Sequence, residues 1–181
     1  MNIFDYLDEL QVDLKERNLG ELEEKYFNRC KQLAGTERAN KIRQIDLNDY
    51  KKELKMGLDQ SIKIAIELDS KAIYFEYDLD NNWESAFYIC EEYNSLVDDD
   101  DDWACNWIED IEGPRLEQFG EIYELDGFDR SKLAIGTTIY LVARTVITYI
   151  RALNEIPNQI SIPICIAFHD QDPIIRIKEE H

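Results

Sequence analysis

Residues 73–89 read IYFEYDLDNNWESAFYI, and this stretch decides the fold class. Its first half alternates between two sets of side chains, with Ile73, Phe75 and Tyr77 on one side and Tyr74, Glu76 and Asp78 on the other. Its second half repeats the period of two at Trp83, Ser85, Phe87 and Ile89. The residues between the halves, Asp80-Asn81-Asn82, favour a turn. The stretch therefore predicts a β-hairpin.

Downstream of the hairpin, the period of the apolar residues changes from two to that of a helix. Residues 130–154 predict one long helix, with Asp129 as its N-cap and Pro157 beyond its end. Its expected core face consists of Ile135, Ile139, Val142, Val146, Ile150 and Leu153. Arg144, Arg151 and four threonines interrupt the apolar run, which indicates a buried helix of a soluble protein rather than a membrane span.

The chain after Pro157 returns to strand-like alternation. Ile160 to Phe168 predicts a strand in which Pro163 indicates an edge position or a bulge. A turn at 169–173 and a final strand at 174–178 follow, which makes a C-terminal β-hairpin.

Upstream of the hairpin, residues 1–68 have apolar residues at helical spacing. Two helices are expected before residue 35, and a third is expected from Asp46 onward. The piece from Gly35 to Gln44 is expected to be a polar, basic connection.

Between the hairpin and the long helix, the aspartate run 98–102 predicts a loop. We expect a third strand at 103–108, a break at Gly113-Pro114, and a short strand or helix end at 121–125. Together the patterns predict an α+β fold, with an N-terminal helical layer packed on an antiparallel sheet and one long helix in the C-terminal half. Residues 1–181 are expected to form a single domain.

The charge is concentrated in one part of the chain. The total formal charge is −19, but residues 1–68 carry −2, residues 69–126 carry −17 and residues 127–181 carry 0. Acids that served only solubility would be spread along the chain. The middle part therefore predicts an electrostatic surface, and the absence of an overall basic footprint argues against direct nucleic-acid binding.

Several kinds of chemistry lack support in the sequence. There is no glycine-rich phosphate loop, and no C-x-x-C pair occurs among the four cysteines, so neither a cofactor nor a metal is expected. Asp78 to Asn82 opens like a calcium loop, but Trp83 stands where the loop needs glycine, and a hairpin turn is favoured. Nothing brings a thiol to His169 for Cys–His catalysis. With no secretory signal, the prediction is a cytoplasmic protein without membrane contact.

The strongest functional pattern is a run of acids that encloses two tryptophans. Acidic side chains attract a basic partner over distance, and tryptophans supply contact area once it is bound. The alternative is that the tryptophans are core residues beneath a solvated loop. The predicted partner-binding residues are Asp98, Asp99, Asp100, Asp101, Asp102, Trp103, Trp107, Glu109, Asp110 and Glu112.

Three segments, Tyr74 to Asp80, Cys90 to Tyr93 and Asp102-Trp103-Ala104, carry a resemblance across about residues 70–125. In this part the chain resembles bacterial toxin-immunity proteins of the polymorphic or contact-dependent kind. The resemblance implies a non-enzymatic protein that binds and blocks a basic toxin domain, such as a nuclease. It transfers no residue roles.

Two other functions stay open at this point. A hydrolase that uses carboxylates and a divalent metal would need convergent acids in a pocket with a shifted pKa. A regulatory adaptor module would use the N-terminal helices for association. The sequence predicts no oligomeric state.

Overall fold

The computed structural model describes residues 2–98, 100–157 and 161–179. Within these ranges the chain forms six α-helices, five strands and two short 3-10 helices at Leu96–Asp98 and Asp102–Cys105. The α-helices are α1 Ile3–Glu16, α2 Leu19–Ala34, α3 Thr36–Arg43, α4 Asn48–Glu67, α5 Glu117–Asp126 and α6 Lys132–Asn154. The strands are β1 Ala72–Asp78, β2 Glu84–Cys90, β3 Trp107–Glu112, β4 Ile164–Phe168 and β5 Ile175–Lys178. The α+β prediction is confirmed.

The five strands form one sheet in the order β3-β2-β1-β4-β5. Neighbouring strands are antiparallel except β1 and β4, which are parallel. The expectation of a purely antiparallel sheet is therefore wrong at one pair. A parallel pair needs a long crossover connection, and here that connection includes α5 and α6.

The predicted hairpin is confirmed as β1 and β2, with Phe75 opposite Phe87 in the register. Trp83 belongs to the turn rather than to the strand, with φ of 56°, and its indole is buried and donates to the hydroxyl of Thr145 at 3.0 Å. The side chain of Asp78 accepts a hydrogen bond from the backbone N–H of Asp80 at 2.9 Å. The calcium-like run is thus a hairpin turn held by its own side chains.

The long helix α6 is the centre of the core rather than a membrane span. It is long and apolar enough to cross a bilayer, but most of its apolar length is buried by protein. The Oγ of Ser131, not Asp129 as expected, caps its first turn by accepting from the N–H of Ala134. Thr145 and Thr148 donate to carbonyl oxygens one turn earlier, which satisfies these hydroxyls inside an apolar core.

Two local predictions differ from the structure. The expected connection at 35–44 contains α3, because Ala39 and Ile42 lie on one helical side and are buried. The expected strand at 103–108 is a 3-10 helix followed by β3. The stretch 121–125, expected to be a short strand or a helix end, is the C-terminal half of α5, so the helix-end alternative is confirmed.

The C-terminal hairpin is confirmed as β4 and β5. Pro163 was expected to mark an edge position or a bulge: the edge position is wrong, because β4 is an inner strand, whereas the β4–β5 register does shift between Ile164 and Cys165. Pro163 precedes β4, so the N–H that proline lacks falls outside the strand, while its carbonyl accepts a hydrogen bond from the backbone N–H of Ile73. Ile160, where that strand was expected to begin, lies outside the described residues.

The two faces of the sheet have different coverings. One face packs against the helices in a large apolar core. The other face, called the outer face below, carries a smaller apolar cluster of Ala72, Tyr74, Cys90, Trp103, Cys165, Ala167 and Ile174. The segment 91–106 contributes Trp103 to this cluster, so it covers part of the outer face and leaves the remainder toward β3 more open.

Candidate functional site

Trp103 anchors segment 91–106 to the outer face and does not reach solvent. It is 2% exposed. The rings of Tyr93 and Tyr74 lie edge-on to it, with centroids 5.2 and 6.3 Å away, and the guanidinium of Arg176 lies 5.6 Å from its centroid. Trp103 is therefore a core residue beneath the loop, as the alternative interpretation of the sequence expected. Its ring offers almost no accessible surface to a partner.

Asp101 also has an internal role. One carboxylate oxygen accepts from the guanidinium of Arg176 at 2.5 Å, and the other accepts from the backbone N–H of Ile174 at 2.7 Å. Arg176 is almost fully buried, and it also donates to the carbonyls of Ile174 and Asn94. Asp101 thus compensates a buried charge and holds the loop formed by residues 98 and 100–102, called the acidic loop below, to β5.

The aspartates beside Asp101 lie at the surface. Asp98 accepts from the backbone N–H and hydroxyl of Ser95, and Asp100 accepts from the amide of Asn94 and the N–H of Asp102. These contacts order the loop while leaving its negative charge exposed. Asp99 lies outside the described residues.

The remaining predicted residues, Trp107, Glu109, Asp110 and Glu112, lie on β3 and are exposed. Trp107 is 46% exposed, and its ring centroid lies 5.4 Å from that of Tyr88, which itself stacks on Tyr74 at 6.0 Å. An aromatic row therefore crosses the outer face from its smaller apolar cluster, called the second core below, to solvent.

The structure adds three residues that sequence reasoning missed: Glu76, Tyr88 and His169. Nδ1 of His169 lies 3.2 Å from Glu76. The hydrogen bond and charge of Glu76 raise the pKa of His169 above its ordinary value, although partial burial opposes the effect. Burial, together with the charges of Glu76 and Asp110, raises the pKa of Tyr88, so this phenol stays a neutral donor.

A groove of about 690 Å³ runs between the acidic loop and the turn after β4. Six carboxylates line it: Glu76, Asp100, Asp101, Asp102, Asp170 and Asp172. A second hollow of about 310 Å³ shares Glu76 and His169 with it and reaches Tyr88. We call Glu76, Asp100, Asp102 and Asp110, with the rings of Tyr88 and Trp107, the acidic face.

Few cations neutralise the acidic face. In the N-terminal part, acids are paired with bases, as in the contacts of Lys25 with Glu9 and of Arg43 with Glu24. Among the described residues, by contrast, no ion pair includes Asp100, Asp102 or Asp110. The uneven charge of the sequence is therefore also uneven in space.

The described residues also bear on metal and thiol chemistry. Within the described part of the chain, no three His, Cys, Asp or Glu side chains converge as a metal site would require. Cys30, Cys90 and Cys165 are buried and Cys105 is exposed, and no thiol is a hydrogen-bond partner of His169. The acidic face offers carboxylate acceptors, one phenol donor and aromatic surface, which together match a cationic partner.

Comparisons of the chain with known protein families, with curated proteins and with solved structures found no match.

Proposed function

We propose that this protein binds and neutralises a basic protein partner in the cytoplasm, and that it acts as an immunity protein that blocks a bacterial toxin domain. The observation that carries the proposal is the acidic face, which combines two accessible aromatic rings with the carboxylates of Asp100, Asp102 and Asp110, none of which pairs with a cation among the described residues, and with Glu76, whose one such partner there is His169. The acids would attract and orient the partner, and the rings would supply contact area once it has docked.

Electrostatics favours a partner whose own surface is basic. At physiological salt, exposed charges interact over a Debye length of about 8 Å, so neighbouring carboxylates act together on an approaching cation. Such fields mainly raise the association rate, and they make that rate sensitive to salt. A positively charged protein is therefore the partner that this surface would capture fastest.

The aromatic row supports a protein partner over a free cation. Trp107 is half-exposed on β3 and Tyr88 is partly covered beside it, so a partner could bury both rings. Tryptophan and tyrosine are enriched among the few residues that dominate binding energy in protein interfaces. A standard interface buries about 800 Å² on each partner. The aspartates of the acidic loop are too few to supply that area alone, so the aromatic rings on and beside β3 would contribute to it.

The toxin part of the proposal rests on the resemblance of residues 70–125 to immunity proteins. A nuclease is the toxin type that this chemistry fits best, because its phosphate-binding surface is basic. Carboxylates would take the place of phosphates, and the two rings would occupy space where nucleic-acid bases stack.

Two variants with the same net charge test the proposal. The face variant carries D100N, D102N and D110N, in which asparagine removes the charge and keeps one acceptor oxygen at each position. The control variant carries D8N, E16Q and E37Q, which removes three exposed acids far along the chain from the acidic face. Each variant and the wild type are used to capture the product of the adjacent gene, and each is co-expressed with it.

The proposal predicts that the wild type and the control variant bind a basic product and protect the cell, and that the face variant binds at least about tenfold more slowly at low salt. Equal association rates for all three proteins, or a partner without a basic surface, would contradict it.

A further inference from the structure

The two edges of the sheet differ in how they are covered. At the β5 edge, Ile175 and Arg176 are buried, and Tyr93 reaches across to hydrogen-bond Glu179 at 3.1 Å. At the β3 edge, five of the six residues are exposed. Within the described residues, β3 has β2 as its neighbour on one side and no strand on the other.

The register identifies which backbone groups of β3 face away from the sheet. The N–H of Gly113 donates to the carbonyl of Ser85 at 2.8 Å, so this pair is bonded across β2 and β3. In an antiparallel ladder bonded and non-bonded pairs alternate, and Asp110 opposite Tyr88 is a non-bonded pair. The N–H and C=O groups of Asp110 and Glu112 therefore point to the open edge.

Both sides of this edge offer apolar contacts to an additional strand. On the outer face lies the ring of Trp107. On the helix side, a hollow of about 270 Å³ lies between β3 and α4, lined by Met56, Gly57 and Ile111. Met56 is 71% exposed there. β3 spans about 20 Å, a length typical of a complete strand pairing.

The charges on β3 select the occupant. Glu109, Asp110 and Glu112 are all exposed carboxylates. A second copy of β3 would bring like charges opposite one another, which destabilises cross-strand pairs. Lysine or arginine on an incoming strand would meet these carboxylates favourably. The edge is thus protected against self-association by charge while it remains open to a basic chain.

We propose that β3 takes up an extended basic segment of a partner protein as a sixth strand of the sheet. This inference rests on the proposed function, because it names how a basic partner docks beside the acidic face. Backbone hydrogen bonds of Asp110 and Glu112 would fix the register, and Trp107 and Met56 would contact alternate side chains of the segment.

The test uses two capped eight-residue peptides that alternate lysine and valine. The second peptide is N-methylated at its four central residues, so it has the same charge but cannot form a strand ladder through them. Binding to the full chain is followed by NMR titration and amide hydrogen exchange. We expect the unmethylated peptide to bind at least about tenfold more tightly, the effect of one or two backbone hydrogen bonds. It should slow exchange at Asp110 and Glu112 but not at Ile111, which already bonds to β2.

A pair of variants checks the same point from the side of the protein. D110A and D110P both remove the carboxylate, but only proline removes the N–H. Proline is tolerated at an edge position whose N–H faces solvent. We expect D110P to bind the unmethylated peptide about tenfold more weakly than D110A does. If D110P does not fold, the comparison of the two peptides on the wild type still decides the matter.

Equal affinities for the two peptides, without protection of Asp110 and Glu112, would overturn strand addition. If that equal binding were weakened by salt and by D110A, the electrostatic proposal would survive. Absence of binding by either peptide would count against strand addition as well. Protection at Asp110 and Glu112 that grows with protein concentration in the absence of peptide would identify a second copy as the occupant and overturn the assignment to a basic partner.

Discussion

Two aspartates from the same acidic run should differ sharply in their effect on stability. In D101A, Arg176 loses its carboxylate partner while its side chain remains 2% exposed, and the N–H of Ile174 loses its acceptor. Breaking a fully buried ion pair costs about 3–5 kcal/mol, and an unsatisfied buried donor costs about 1–3 kcal/mol. Asp101 is 20% exposed and Arg176 keeps two carbonyl acceptors. We therefore expect D101A to lower the free energy of unfolding by about 2–4 kcal/mol.

The matched variant D100A removes the same charge from the neighbouring residue. D100A removes two exposed hydrogen bonds of 3.0 Å, so the free energy of unfolding should fall by about 0.5–1 kcal/mol. Urea denaturation of both variants and the wild type, followed by far-UV circular dichroism, measures the difference in free energy of unfolding, provided that the three m-values are equal. A D101A variant within about 0.5 kcal/mol of D100A would show that Asp101 does not compensate Arg176, and the division of the acidic run would be wrong.

Three further predictions concern the packing of the fold and its response to pH. W103A should lower the free energy of unfolding by about 3–5 kcal/mol, while W107A should lower it by less than about 1 kcal/mol in the same denaturation assay. Similar losses would contradict the burial of Trp103 and the exposure of Trp107. Glu76 raises the pKa of His169, so their contact should stabilise the fold below about pH 6.5 and lose this effect as pH rises through the folded-state pKa. The melting temperatures of H169Q and wild type should therefore differ more at pH 5.5 than at pH 8.5, and an equal difference at both would refute this. G136A places Cβ 2.6 Å from an α2 side chain and should cost about 1–3 kcal/mol on denaturation, whereas no loss would refute the close helix crossing.

The elements that the sequence predicts correctly are those whose pattern is local. The β1–β2 hairpin follows from alternation around Asp80 to Asn82, and α6 follows from helical spacing over more than twenty residues. The parallel pairing of β1 with β4 joins Phe75 to Ile166, and no local pattern records which strands become neighbours across such a separation. The type of these two elements was therefore predictable, whereas strand order was not.

The site divides in the same way. The charge of residues 69–126 and the exposure of β3 agree with a surface predicted from composition alone. The run 98–102 consists of identical side chains, and Asp101 differs from Asp100 only because Arg176 lies beside it in space. Aromatic residues at 103–108 suggest a strand, but Trp103 is an anchor of the second core. Identifying such roles requires the tertiary contacts.

The central claim is that the acidic face accelerates the binding of a basic protein. Its most direct test is the association rate constant of the captured partner, measured by stopped flow against ionic strength for the wild type, the face variant and the control variant. We predict that the rate for the wild type and the control variant falls by about tenfold or more between low and high salt, and that the rate for the face variant is lower and much less sensitive to salt. Three proteins with the same rates and the same salt dependence would contradict the claim.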